Sequence, residues 1–404
     1  MKAPWLLPLL LAPLGCDAAF DYALEVAGRP DPHALLDCGF DAVGDGWEQV
    51  DCSPVMAANQ RAAGAWEAGS LGTFDVEQVE IFGAPFFQMW YSGAAVDAPG
   101  HDIGTAASWN GVDWTRHPWN PVVRRGPTQS FDRDDASVAC VAYDSQLAIF
   151  HLWYEGSNGT GAGTLLGHAT STDGVFWTAD LLNPINPLAG SGSRLNRVSS
   201  CDAVYSDGGL HLWASGLRIP SGQFSTPAEA VDKAQYVIAH LRTEDGTFFD
   251  VTDALVLEPR VPEEDAGNDH PLQDAFDAQG VHHPTVFAYG DPDEPRWWML
   301  YSGYEDMTVE TNPVSPGVVA LPTATRIGLA TSEEAASGWE RVHTVPLPLD
   351  FSGEDRADGA RASYINGRLY TFFSDAMPDP IDGRLIPGIG LAVSPFPPGE
   401  EAAE

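Results

Sequence analysis

Met89-Trp90-Tyr91-Ser92-Gly93 decides the fold, because the chain repeats it. It returns as Leu152-Trp153-Tyr154-Glu155-Gly156, as Leu212-Trp213-Ala214-Ser215-Gly216 and as Met299-Leu300-Tyr301-Ser302-Gly303. A weaker copy reads Thr371-Phe372-Phe373-Ser374-Asp375. Each is an apolar and aromatic run that stops at a small turn, which is the pattern of a buried strand. A second pattern follows every copy: IGTAAS at 103–108, LGHATS at 166–171, VIAHLR at 237–242, IGLATS at 327–332 and IGLAVS at 389–394.

Further outward, most copies continue into a polar turn, a Trp and a short strand. Asn110-Gly111-Val112-Asp113-Trp114 and Asp173-Gly174-Val175-Phe176-Trp177 are examples, and Gly338-Trp339-Glu340-Arg341-Val342 is a shorter form. Another apolar stretch precedes each aromatic run. The unit is thus four short strands, and it occurs five times. No stretch holds a 3.6-residue period, so little helix is expected beyond a turn or two at Pro227–Lys233. Five four-stranded units predict an all-β, five-bladed β-propeller, with blades at about 70–125, 126–190, 191–260, 270–350 and 355–398. One blade cannot bury both its faces. The recurring Trp and Tyr are therefore read as packing surface between blades.

The fifth copy ends after its third strand. Gly46-Trp47-Glu48-Gln49-Val50 resembles Gly338-Trp339-Glu340-Arg341-Val342, so residues 46–56 are expected to supply the missing outer strand. The last blade is then completed by an N-terminal strand, which removes two open edges.

The net charge is -37, and Lys occurs only at Lys2 and Lys233. Such a surface repels phosphate backbones and anionic lipid, which excludes nucleic acid and membrane-surface binding. Met1-Lys2 followed by a leucine-rich run to Leu14 reads as a signal peptide, and Gly15-Cys16 resembles a lipobox. The expectation is an exported bacterial envelope or cell-surface lipoprotein. Residues 1–16 are the signal with lipidated Cys16, 17–40 a tether and 41–398 the propeller. Its membrane contact is the lipid anchor alone, and a monomer is expected. Four of the five cysteines remain, which suits two disulfides in an oxidising compartment, Cys38–Cys52 and Cys140–Cys201. No CxxC pair points to zinc.

Ligands of a propeller bind where the innermost strands begin. Aligning the copies brings together Asp75 and Glu77, Asp135 and Ser137, Arg197, Ser199 and Asp202, His282 and His283, and Asp358 and Arg361. Two carboxylates across a sugar are the minimum for glycoside hydrolysis. Asp75 is the candidate base. Asp135 would support the acid or orient substrate. The acid is Asp202 or Glu155, the latter because it stands where other copies have Ser. Glu77, Arg197, His282, His283 and Arg361 are the candidate substrate-binding residues. Asp132 and Asp277 recur after Phe131 and Phe276 and read as turn residues. No cofactor or metal site is read, although an acidic channel admits a calcium ion.

With these motifs in place, the chain resembles the five-bladed propellers of glycoside hydrolase families 43 and 32, which include arabinanase-like proteins. The resemblance covers about residues 70–394. It implies a blade 1 Asp as base or nucleophile, a supporting blade 2 Asp and a blade 3 Glu as acid. Asp75 and Asp135 fit these roles. Blade 3 offers Ser199-Ser200-Cys201-Asp202 with no Glu, and blade 1 has Asp75-Val76 where the family has Asp-Pro. The resemblance implies a carbohydrate-binding or carbohydrate-hydrolysing propeller diverged at its catalytic positions. A non-catalytic binding or interaction propeller is the alternative.

Overall fold

The computed structural model describes residues 38–44, 47–51, 53–58, 65–81, 84–159, 165–188, 195, 197–218, 235–250, 255–260, 275–291, 294–304, 306–311, 318–323, 325–342, 346–349, 357–365, 368–378 and 385–394. Cys16, Cys52, most of the tether and Pro227–Lys233 lie outside them. The described residues are all-β, with no helix.

Blade 1 runs outward from the axis through Ser70–Ile81, Ala84–Ala94, Asp102–Ser108 and Thr115–Arg116. Blade 2 repeats this with Asp135–Asp144, Ile149–Ser157, Leu165–Ser171 and Thr178–Ala179. Blade 3 has Arg197–Ser206, Gly209–Arg218 and Gln235–Thr243, with Phe249–Asp250 and Leu255–Leu257 outermost. Blade 4 has Gly280–Asp291, Glu294–Tyr304, Arg326–Ser332 and Glu340–Arg341. A separate hairpin, Asp306–Thr311 with Val318–Thr323, is inserted between its second and third strands. Blade 5 has Asp358–Ile365, Arg368–Pro378 and Leu385–Ser394.

Its outer strand is Trp47–Val50, from before blade 1. Glu48 pairs with Val393 and Gln49 with Ala392, and Met56 then pairs with Ile389. The ring is closed by a strand from the opposite end of the chain. Phe40–Gly44 adds one strand outside it.

Among the described residues the apolar core forms five large wedges, one between each pair of neighbouring blades, and a small cluster of Leu195, Val237 and Ala239. Trp90 packs with Val138 and Phe150 between blades 1 and 2, Trp153 with Leu212 between blades 2 and 3, and Trp213 with Trp297 between blades 3 and 4. Trp47 and Phe373 share the wedge with blade 4, and Phe372 meets Phe87 edge-on at the closure with blade 1. Trp90, Trp153 and Trp213 are fully buried, so they are core and not sugar platforms.

Polar latches fix the blades in register. Trp90 Nε1 donates to Gly174 O of blade 2 (2.7 Å), Trp153 Nε1 to Gly246 O of blade 3 (2.9 Å), and Trp213 Nε1 to Ala335 O of blade 4 (2.9 Å). This explains the Asx/Gly turn that the sequence repeats. Gly174 has φ +73°, and a Cβ there would lie 2.7 Å from the Trp90 ring, so only Gly lets the latch close. At the latch position blade 4 has Leu300 and blade 5 has Phe372, and Phe372 packs directly on the blade 1 turn at Gly111.

Within blades, Asn120 and Asn183 act as extra strand partners. Each side chain accepts from and donates to the backbone of the third-strand residue, Thr105 or His168, at 2.8–2.9 Å. Asp132 and Asp277 do more than shape turns. Asp132 accepts from Tyr154 OH (3.2 Å). Asp277 accepts from Tyr301 OH (2.9 Å) and is paired with Arg341 (2.6 Å) and Arg260 (3.1 Å). They anchor the recurring Tyr, a contact between distant residues that turn chemistry does not disclose.

Candidate functional site

Every inner strand carries a β-bulge a few residues after it starts. The irregularities fall at Leu71/Phe74, Val138/Cys140, Ser199/Cys201, His282/Thr285 and Asp358/Arg361. The bulge separates two levels of the channel: a buried ring below it and an open mouth above it.

The register defines the buried ring. Asp75 pairs with Trp90, Cys140 with Trp153, Asp202 with Trp213, Thr285 with Leu300 and Arg361 with Phe372, so these five are equivalent positions. Each ties its blade to the next. Asp75 Oδ2 accepts from Val141 N (2.6 Å). Cys140 is disulfide-bonded to Cys201. Asp202 Oδ2 accepts from Val286 N, and Thr285 Oγ1 accepts from Ala362 N (3.2 Å). Arg361 completes the circuit through Asp75, Nε to Oδ1 at 3.0 Å. Its guanidinium also donates to Ala139 O, Cys201 O (both 3.2 Å) and Pro284 O (3.4 Å). Arg361 thus touches all five blades and fills the axis at this level.

Asp75 and Asp202 are wholly buried, and Glu77 and Arg361 nearly so. The sequence alignment placed Asp75 beside Asp135, but the register places it beside Cys140, deeper in the channel. Glu155 is placed by a different repeat. Ser92, Ser215 and Ser302 each accept from a bulge amide of the next blade: Val138 N (2.9 Å), His283 N (2.9 Å) and Gly359 N (3.1 Å). Glu155 Oε1 accepts from Ser200 N (3.0 Å), so it performs the same bridging with a longer side chain.

Three polar groups stand at the mouth. The first is Asp135. Its Oδ1 accepts from His101 N (2.8 Å) and lies 2.9 Å from His101 Nδ1, and its Oδ2 accepts from Ser137 Oγ (2.7 Å). Burial pushes this carboxyl up, but the hydrogen bonds from His101 and Ser137 outweigh burial and hold it below its ordinary range. With Nδ1 turned to Asp135, His101 presents Nε2 to Ser70 Oγ, 3.5 Å away. The second group is Arg197, whose Nη2 donates to Tyr236 OH (3.0 Å). Its buried Nε has no hydrogen-bond partner among the described residues.

The third group is His282, His283 and Asp358. His283 Nδ1 lies 2.8 Å from Asp358 Oδ1, and His282 Nε2 lies 3.9 Å from it. Burial first, reinforced by His283 and opposed by Asp358, holds the His282 imidazole down to about 3, so it is neutral at pH 7. Burial pushes Asp358 up, but His283, helped by a hydrogen bond from Ser302, outweighs it and holds the carboxyl well below its ordinary range. His283 has φ +47°, a left-handed conformation that its blade 5 counterpart Gly359 adopts without side-chain strain.

The structure therefore brings Asp135, Arg197, His282 and His283 to one end of the inner strands and places Asp75, Glu77, Asp202 and Arg361 beneath them. His101 and Tyr236 join the mouth and had no repeat signal. His101 sits just before a third strand, outside the repeated motifs. Cys38 is disulfide-bonded, and its assigned partner Cys52 lies outside the described residues. No helix among the described residues is long and apolar enough to cross a membrane.

No protein-family model matches the chain, and no curated protein matches it. Solved structures do match. A glycosyl hydrolase from Bacteroides ovatus aligns over 84% of this chain and 91% of its own, with 16% identity and a TM-score of 0.52. The β-1,2-mannobiose phosphorylase of Listeria innocua, solved with β-1,2-mannobiose, aligns over 86% and 96%, with 12% identity and a TM-score of 0.52. A GH130 protein, from work on glycoside hydrolases that target β-1,2-mannosidic linkages in Candida mannan, aligns over 92% and 98%, with 17% identity and a TM-score of 0.53. At these identities the likeness is one of fold.

Proposed function

We propose that this chain is an exported, lipid-anchored propeller that binds a carbohydrate at the mouth between Asp135, Arg197 and Asp358. The observation that carries the reading is the unfilled hydrogen-bonding capacity there. Arg197 Nε is a buried donor with no partner among the described residues, and it stands at the strand ends beside partly exposed imidazoles and carboxylates. A polyhydroxylated ligand supplies the missing partners. The fold is that of carbohydrate-active propellers, and the family 43 and 32 motifs agree with it. The leader, Cys16 and the Cys140–Cys201 disulfide support an oxidising compartment outside the cytoplasm.

If the site turns substrate over, the proton-moving group is the His101–Asp135 pair. Asp135 fixes the imidazole so that Nε2 lies at Ser70, at the start of the blade 1 inner strand, as an orienting carboxylate does for a general base. Asp75 and Asp202 are occupied by strand amides, and Asp75 also by Arg361, which removes them from proton transfer in this reading.

The test uses the purified chain against β-mannosides, arabinan and xylan, with calorimetric binding and reducing-sugar release. Arg197→Ala should abolish binding. His101→Gln should abolish turnover while leaving binding within a few-fold. Absence of binding to every glycan tried, or binding unaffected by Arg197→Ala, overturns the reading. Binding without turnover selects the second reading, a non-catalytic glycan-binding propeller. That reading is favoured by the buried state of Asp75 and Asp202.

A further inference from the structure

Adjacent residues of a strand point to opposite faces. The bulge in blade 4 breaks that rule at His282-His283. Its left-handed residue lets both imidazoles approach the same carboxylate on blade 5, and their ring centroids are 4.4 Å apart. A strained His stands where blade 5 has Gly359. Strain of this kind persists where the side chain has a use.

We propose that His282, His283 and Asp358 form a binding site for a divalent transition-metal ion. One ligand atom from each lies within 4.8 Å of the others. The second observation is independent of that clustering. The His282 side chain is 6% exposed, and its Nε2 has no hydrogen-bond partner among the described residues. Tyr236 and Tyr304 pack on this ring at 5.9 and 5.5 Å between centroids and hold it toward Asp358. A buried imidazole nitrogen aimed at a carboxylate 3.9 Å away, too far for a hydrogen bond, leaves space for a cation between them.

The donor set selects the ion. Two imidazoles and one carboxylate suit zinc, manganese or iron, whereas calcium takes six to eight oxygens. The set therefore does not fit the calcium ion that an acidic channel would suggest. The deeper trio of Asp75, Glu77 and Asp202 also lies within 4.8 Å, but Arg361 already provides the positive charge there. Three protein ligands leave coordination positions open to water or to a hydroxyl of a bound ligand.

The experiment needs no sugar, so it is independent of the carbohydrate reading. The full chain is stripped with a chelator and titrated calorimetrically with zinc, manganese and calcium chlorides. One zinc or manganese ion per chain is expected, bound at least 100-fold more tightly than calcium. His282→Ala and Asp358→Ala should each weaken binding at least 100-fold, with folding checked by circular dichroism. X-ray absorption of the zinc-loaded wild type should show two imidazole ligands, a readout that survives if a variant fails to fold. The proposal is overturned by sub-stoichiometric binding in the wild type, by undiminished binding in both variants, or by absorption spectra without imidazole.

Discussion

Arg361 Nε lies 3.0 Å from Asp75 Oδ1, with both side chains buried on the axis, and this pair closes the ring of interblade ties. Removing one partner strands a charge out of water. Arg361→Ala is expected to lower unfolding stability by about 3–5 kcal/mol. Arg361→Met combined with Asp75→Asn should recover most of that loss, because Asn still accepts from Val141 N. Urea denaturation of the singles and the double measures the coupling. Additive losses would mean the pair is not a unit.

Glu155 does the work of a serine. Glu155→Ala leaves Ser200 N without its acceptor and should cost about 1–2 kcal/mol. Glu155→Gln keeps an oxygen acceptor and should stay within about 0.5 kcal/mol of wild type. Neither substitution should change glycan affinity. A large affinity loss in the well-folded Gln variant would give Glu155 a direct role.

Blades 2 and 3 each bury a histidine pair beside the latch Trp. His151 Nδ1 and His168 Nε2 are 2.9 Å apart, as are His211 Nδ1 and His240 Nε2. Burial, helped by the neighbouring imidazole, holds His151 and His240 down to about 4, and burial lowers His168 and His211. The folded state therefore binds fewer protons than the unfolded state between about pH 4 and 6.5. Stability is fully present above pH 6.5 and is lost as the pH falls toward 4, by about 1–3 kcal/mol per pair. Blade 1 has Gln88 and Thr105 at the same two positions, joined at 3.3 Å. Copying them as His151→Gln with His168→Thr should flatten part of the melting-temperature profile between pH 4 and 7. An unchanged slope would refute the assignment.

Trp47 is 1% exposed and sits in the wedge between blades 4 and 5. Trp47→Ala should cost about 3–5 kcal/mol, as expected for a large buried aromatic. Chemical denaturation measures it. A loss below 1 kcal/mol would mean that the closing strand contributes little.

The propeller was legible because each blade repeats one strong signal. A Trp or Tyr before Ser-Gly marks the second strand, and for Trp90 and Trp153 the packing partner, the Gly of the next blade's turn, is also a repeat. The likeness of Trp47 to Trp339 was enough to place the closing strand. The mouth was half legible. Asp135, Arg197, His282 and His283 were found because strand starts can be counted back from the aromatic run. The sequence reads Asp75 as lying before the inner strand of blade 1, but that strand already begins at Ser70, which puts Asp75 inside it. Bulges shift register by residues that no period reveals. His101 was missed because it lies outside the repeated motifs, and its role comes from Asp135, 34 residues away.

Arg361 also gives the molecule a direction. A ring with an open bore lets a chain pass from one face to the other, but this one is barred where Arg361 reaches all five blades. Whatever settles between Asp135 and Asp358 must leave by the way it came, and a long polymer cannot thread through the bore. It must lie across the rim or offer an end or a side branch, so the guanidinium at the bottom governs the shape of guest that the top can admit.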